Sequence, residues 1–384
     1  MPEGRVIARI RDEASQIARG WSGPEASPTW QLTASLFQCL ADDAELLALA
    51  AVIPPDRLPP LLFAATVHRV VARHREEPFA AYFPVPEGDQ PPLDHRFAGR
   101  YRAFCLEHRD ELSHLQSERL YQMNEVARCT QVALALGVLT RRLPGRELAL
   151  VDMGTGSGLG LYLDRYRYTM SDGRRWGPAD SPVHIDCELH GPLRPRLPPA
   201  PAPAIRHRVG IDLNPLDLDD PEERAWLTAC APPEIGALER LAGAIDVARS
   251  GHAPIVRGPA DVHLSEVLGA VPAGLLIAVV DSYMAVFFDD AQQRTVREVI
   301  SRFGRRRDVA WVSLDPLVPL GTRAHRTVQG AEAPERLVKQ NRQGGVFAAL
   351  SVTTDNGGRG PAQLLATAHP SGTRMEWLEA ASSI

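Results

Sequence analysis

Residues 148–161 read LALVDMGTGSGLGL, and this stretch decides the fold. An apolar run of strand type, 148–151, ends in a carboxylate, Asp152. Gly154, Gly156 and Gly158 follow at alternate positions, and an apolar segment resumes after Gly160. A buried strand running through a glycine turn into a helix is how α/β proteins bring backbone N–H groups to a nucleotide or adenosyl ligand. Glycine serves there because the turn needs open dihedrals and the ligand must reach bare backbone.

The dinucleotide fingerprint wants glycine at positions one, three and six. Counted from Gly154, position six is Leu159; counted from Gly156, it is Leu161. The spacing is therefore poor for NAD. The D-x-G-x-G-x-G pattern instead resembles the first motif of class I S-adenosylmethionine-dependent methyltransferases, matched at every fixed position. That resemblance implies S-adenosylmethionine as cofactor, held at Asp152, Gly154, Gly156 and Gly158. A tight structural loop is the plain alternative.

A chain of 384 residues exceeds most single domains and predicts two domains or one enlarged one. Its 44% hydrophobic and 23% charged residues are those of an ordinary globular protein. A net charge of −5 supplies no electrostatic footprint for nucleic acid or an anionic membrane. The opening MPEGRVIARIRDEAS lacks the apolar core of a secretory signal. Cys39, Cys105, Cys129, Cys187 and Cys230 are scattered without a C-x-x-C pair, which suits a reducing cytoplasm and neither a disulfide framework nor a zinc site. His68, His74, His108 and His114 show no metal-ligand spacing and read as structural or solvated. The absence of H-E-x-x-H, G-x-S-x-G and Walker motifs argues against zinc proteases, α/β-hydrolases and NTPases.

Upstream of the glycine stretch, residues 4 to about 142 read as helices, broken at Ser27-Pro28 and by a proline- and glycine-rich loop at 84–92. The sequence predicts a helical cap domain over 1–142, a surface for a protein partner or a second copy. Its last helix, 115–139, contains QMNEVAR. Gln122, Asn124, Glu125 and Arg128 gather amide, acid and guanidinium groups within two turns as substrate-binding or catalytic candidates. A solvated i, i+3 ion pair of Glu125 with Arg128 is the bland alternative.

Downstream, 143–384 predicts a Rossmann-like sheet of class I methyltransferase type, with an insertion at 164–203 after the first strand and helix. Tyr166 and Tyr168 alternate toward a hairpin turn at Asp172-Gly173 and are candidates to line a pocket. A proline-rich linker, 191–203, closes the insertion. The strand 207–213 ends in Asp212, where methyltransferases place the carboxylate that binds ribose hydroxyls, a bidentate contact also made to NAD. Asp261 follows in an expected loop as an adenine-amine acceptor. The strand 275–280 leads to Asp281-Ser282-Tyr283 at a carboxyl end, where ligands of α/β folds collect. A helix from Asp289, a fifth strand over 310–315 (AWVSLD), and a final pair over 346–354 and 363–369 with a turn at 355–358 complete the pattern.

These residues together resemble a bacterial family of unknown function (DUF2332-like) whose members look like methyltransferases. The resemblance covers most of the chain. It rests on Gln122, Asn124, Glu125 and Arg128, on Leu161, Asp164 and Tyr166 after the glycines, on GIDLNPLDL, on AWVS and on His369-Pro370. The chain departs from the family pattern in having the fuller Asp152 triple-glycine turn, Asp281-Ser282 in place of His-Ser, and His369-Pro370-Ser371-Gly372 in place of His-Pro-His-Gly. The expectation is a methyltransferase-like enzyme of specialised metabolism, acting on a small molecule. Its base would be Asp281, Glu125 or His369, with Tyr283 beside the substrate. An elimination or ring-closing displacement on the same fold, or a non-catalytic partner subunit, are the alternatives.

Overall fold

The computed structural model describes residues 3–22, 30–85, 88–122, 124–191, 204–317, 327–329, 331–342, 345–354 and 362–378. Ser27-Pro28, all of the proline-rich linker after residue 191 and the turn 355–358 lie outside the described residues. By its contacts the chain forms two units, 1–124 with 219–241, and 125–218 with 242–384. The expected boundary at 142 thus differs in two ways: 125–142 belongs to the second unit, and 219–241 belongs to the first.

The first unit begins with α1 (Glu3–Ser22), α2 (Gln31–Asp42), α3 (Ala44–Ala50), α4 (Pro59–Arg73), α5 (Phe97–Glu107) and α6 (Arg109–Glu118). Asp43 separates α2 from α3 because its carboxylate accepts the N–H groups of Glu45 and Leu46, a helix N-cap. Phe79, Tyr82, Phe97, Tyr101 and Phe104 interlock edge to face and stacked, and all five are buried.

The single helix expected over 115–139 does not form. α6 ends at Glu118, and a short 3-10 turn, Val126–Arg128, leads into α7 (Cys129–Arg142). Glu125 is extended and its carboxylate accepts the Ala127 N–H, so the acid starts a new helix where the sequence pattern suggested an uninterrupted one.

β1 (Leu148–Met153) is buried at every position. The glycine turn continues into a 3-10 segment, Leu159–Arg165, in place of the expected α-helix. Then come β2 (Arg167–Met170), β3 (Arg175–Trp176), β4 (His184–His190) and β5 (Ile205–Asp212). α8 (Pro221–Cys230) and the start of α9 (Ile235–Gly251) belong to the first unit. The second unit resumes with β6 (Ile255–Arg257), α10 (Ala260–Ala270), β7 (Leu276–Ser282), α11 (Asp290–Gly304) and β8 (Val309–Pro316). A small pair, β9 (Thr327–Val328) and β10 (Ala331–Glu332), precedes α12 (Glu335–Arg342), β11 (Ala348–Thr353), β12 (Gln363–Ala368) and β13 (Arg374–Trp377).

The second unit is therefore α/β, with one large mixed sheet in the order β3-β2-β4-β13-β12-β11-β8-β7-β1-β5-β6. The five strands from β8 to β6 run parallel, and β11 is antiparallel to β8. The insertion is part of this sheet, because β4 pairs with β13. Ala149, Val151, Val209, Ile211, Ile277, Val279, Val309 and Trp311 share a face, packed with Leu264 and Val267 of α10 and Val296 and Ile300 of α11. Strand alternation dictates that set. Among the described residues no helix is long and apolar enough to cross a membrane.

Candidate functional site

β1 lies between β5 and β7, so the chain winds outward from it in both directions. The carboxyl ends of strands at such a reversal are where open α/β sheets hold ligands. Gly154, Gly156 and Gly158 all take left-handed dihedrals, with φ of 71°, 58° and 80°. A Cβ on Gly154 would lie 2.3 Å from the Met284 Cγ, so the bare glycine admits that side chain from the end of β7.

The amides of the turn are committed internally. Gly154 and Thr155 donate to the Ile211 carbonyl, and Gly158 donates to that of Thr155. Gly156 donates to Asp212 at 2.8 Å, and Asp212 also accepts from the Asn214 N–H. Asp152 sits buried within the turn, accepting the Thr155 hydroxyl at 2.7 Å. Burial pushes its pKa up to about 7, against the Thr155 hydrogen bond and reinforced by the charges of Asp212 and Asp281. Asp152 thus braces the turn from inside.

The residues after the turn are structural. Tyr166 is fully buried and donates to the Leu159 carbonyl, and Tyr168 donates to that of Leu163. The expectation that Tyr166 and Tyr168 line a pocket is corrected: Tyr166, just before β2, and Tyr168, within it, have buried rings and hydroxyls bonded to backbone carbonyls, which makes them core staples. Asp164 holds Arg208 through both oxygens, at 2.7 and 2.9 Å, fastening the 3-10 segment to β5. Asp261 is also corrected. It lies in the first turn of α10, not a loop, and accepts from Gln292 of α11 at 3.4 Å.

A second polar cluster occupies the carboxyl ends of β7 and β8. Asp281 is fully buried and accepts from Trp311 Nε1 at 2.6 Å and Ser313 Oγ at 2.9 Å. Trp311, Ser313 and Asp315 alternate on one face of β8 and line a small cleft with Ala285, Phe288 and Gln293. Asp281 does not line it; Asp315 does. Burial and the Asp281 charge hold the Asp315 carboxyl well above the ordinary range, offset by the Val286 and Met284 amides and by Arg128. Burial also raises Asp281, offset by Trp311 and Ser313. Burial and like charge thus raise both carboxyls above the ordinary carboxylate range.

Tyr283 follows β7 with φ of 58°, a conformation strained for a side chain of this size. The Arg128 guanidinium lies over its ring at 3.6 Å, and Arg128 Nε donates to the Pro370 carbonyl at 2.8 Å. Gln131 donates to the Gly372 carbonyl at 2.9 Å. His369 is buried in this turn, its Nδ1 2.8 Å from the Ser371 hydroxyl. Burial pushes the Tyr283 phenol up to about 12, against Arg128 and with Asp315, and no described residue partners its buried hydroxyl.

The structure therefore brings Arg128, Tyr283 and the His369 turn together, with Asp315 electrostatically linked to Arg128 and Tyr283, and Asp281 to Asp315. Glu125 and Arg128 are buried, not a solvated pair. Gln122 and Asn124 belong to the first unit. Sequence reasoning missed Met284, Trp311, Ser313 and Asp315. The i, i+2, i+4 alternation of AWVSLD, with two polar groups and an indole N–H on one face, was the signal for the last three.

A family model described as an uncharacterized protein conserved in bacteria (DUF2332) matches residues 19–377. No curated protein matches the chain.

Proposed function

The chain belongs to the DUF2332 family of uncharacterized bacterial proteins, and we propose that it is a cytoplasmic methyltransferase-like enzyme of specialised metabolism that uses S-adenosylmethionine on a small molecule. The observation that carries this reading is the contact of the glycine turn with Asp212, at the carboxyl ends of two neighbouring parallel strands beside the reversal of strand order. The parallel order β6-β5-β1-β7-β8 supports a Rossmann-like core, third-second-first-fourth-fifth.

The residues fit the cofactor. A phosphate ligand would want free amides, and those of Gly154, Thr155, Gly156 and Gly158 are taken. S-adenosylmethionine carries no phosphate and asks less of them. Asp212 accepts two N–H groups, and an ionised carboxylate has about four acceptor positions, which leaves room for ribose hydroxyls. Met284 covers Gly154 with a flexible thioether side chain that can swing aside. When bound, the cofactor supplies an electrophilic methyl group.

The chain's own residues would then orient the acceptor and manage its proton. Arg128 and Tyr283 present a cation and a phenol to the substrate. Asp315 faces the cleft as the acid–base group, and Asp281 behind it tunes its proton affinity. The covering of Gly154 by Met284 favours one second reading, in which Asp315 drives an elimination or ring-closing displacement without methyl transfer.

Calorimetry with S-adenosylmethionine and S-adenosylhomocysteine tests the proposal. One-site binding is expected, weakened more than about tenfold, some 1.4 kcal/mol, in Asp212→Ala and in the gentler Asp212→Asn. Absence of binding by the folded wild-type chain at millimolar ligand would overturn the methyl-transfer reading.

A further inference from the structure

We propose that the helical unit carries a divalent transition-metal site formed by His74, His108 and Glu111, with Glu77 beside it. Two H-x-x-E segments supply it, HREE at 74–77 and HRDE at 108–111. They come from the exit of α4 and from the junction of α5 with α6, so the fold crosses two sequence-distant pairs. His74 Nε2 lies 3.0 Å from Glu111 Oε2, and His108 Nε2 lies 2.6 Å from Glu77 Oε1. The complementary approaches, His74 Nδ1 to Glu77 Oε1 and His108 Nδ1 to Glu111 Oε2, are 3.8 and 4.0 Å. Donor atoms of His74, His108 and Glu111 all fall within 4.8 Å of one another.

Glu111 Oε2 thus faces His74 Nε2 and His108 Nδ1, while Glu77 Oε1 faces the other nitrogen of each ring, and Glu76 lies 4.0 Å from His74 Nδ1. A neutral imidazole has one N–H to donate and cannot satisfy both neighbours. The two rings lie against each other with centroids 4.2 Å apart. A divalent cation held by His74 Nε2, His108 Nδ1 and Glu111 Oε2 would leave His108 Nε2–H to donate to Glu77. Mixed imidazole and carboxylate ligands suit the zinc, cobalt and nickel class over magnesium or calcium.

The surroundings hold the ligands in place. Arg73 donates to the other Glu111 oxygen at 2.8 Å and so fixes which oxygen faces the cluster. Phe104 packs on the His108 ring at 4.5 Å. The four side chains are 13–30% exposed, within reach of an ion from solvent. The expectation that His74 and His108 lack ligand spacing is thereby revised, because the spacing exists across the fold and not along the chain.

The test uses the full untagged chain, stripped with chelator and titrated with Zn²⁺ by calorimetry and with Co²⁺ by visible absorption. One equivalent of Zn²⁺ and a Co²⁺ d–d band are expected. The near-isosteric His108→Gln and Glu111→Gln should each weaken binding by about tenfold or more, and His74→Gln with His108→Gln should abolish the band. His114→Gln, a change on an exposed side chain, should leave both readouts intact. Circular dichroism checks that each variant is folded. Failure of the folded wild type to bind stoichiometrically, or binding unchanged in the folded double variant, would overturn the site and leave a hydrogen-bonded histidine–glutamate network.

Discussion

Asp315 shows how a single buried charge can be costly to the fold. Its carboxyl is raised far above the usual value of about 3.9 by burial and by Asp281. A carboxyl whose folded pKa exceeds its unfolded pKa stabilises below the unfolded value, and that contribution is lost as pH rises through the folded one. Asp315→Asn removes the charge while keeping the shape. The variant is expected to unfold at higher urea than wild type at pH 8, by about 1 kcal/mol or more, with the gain shrinking toward pH 4.5. It should also lose any acid–base turnover, the usual exchange of activity for stability at a strained site. An Asn variant less stable than wild type at pH 8 would show that the carboxylate is satisfied as it stands.

At the scale of elements, two turns decide where the chain's signature residues meet. The turn 369–373 packs on the 3-10 segment that opens α7, and a Cβ on Gly372 would lie 2.4 Å from backbone atoms of Ala127 and Arg128. Gly154 would meet only the flexible Met284 side chain. Both glycines are left-handed, so alanine costs about 1–2 kcal/mol at either from dihedral strain. Gly372→Ala adds overpacking against backbone, about 1–3 kcal/mol more. Urea denaturation should rank Gly372→Ala as the worse of the two, and equal losses would mean that the 369–373 turn can drift. The same contrast explains what was legible in sequence. Residues 148–158 announced a strand and glycine turn because periodicity and glycine spacing are local. Asp212 was legible as a strand-end acid, although its bond to Gly156 was not. The break at Glu125 was hidden because capping there overrides a helical apolar pattern that continues on both sides. Asp315 and Met284 were missed because their importance arises from neighbours on other strands, and Tyr166 was misread because alternation alone does not say which face is closed.

Across the whole molecule, buried carboxyls set the direction of the pH response. Burial lifts Glu234 to about 7, against the Thr33 hydrogen bonds, and lifts Asp152 to about 7 as described. Above their unfolded values near 4, the unfolded chain has released protons that the folded chain retains, so stability falls with pH until both groups ionise in the fold. His68 works the other way. Burial and the charge of Arg75 lower it to about 4, so the stability it contributes is full above about 6.5 and lost as pH falls. Between pH 6.5 and 8 the histidine contribution rises by only about 0.4 kcal/mol while the two carboxyls still titrate, and the Asp281–Asp315 pair adds to the fall. Stability should therefore drop by about 1–2 kcal/mol over that interval. The first unit contains Trp21, Trp30 and Trp226, and the second contains Trp176, Trp311 and Trp377. Because two units need not unfold together, tryptophan fluorescence and circular dichroism should be followed in parallel. Glu234→Gln, Asp152→Asn and Asp315→Asn should each flatten part of the pH slope. A wild-type profile that rises from pH 6.5 to 8 would mean that these carboxyls ionise freely in the folded chain, and the acid–base character assigned to its interior would have to be given up.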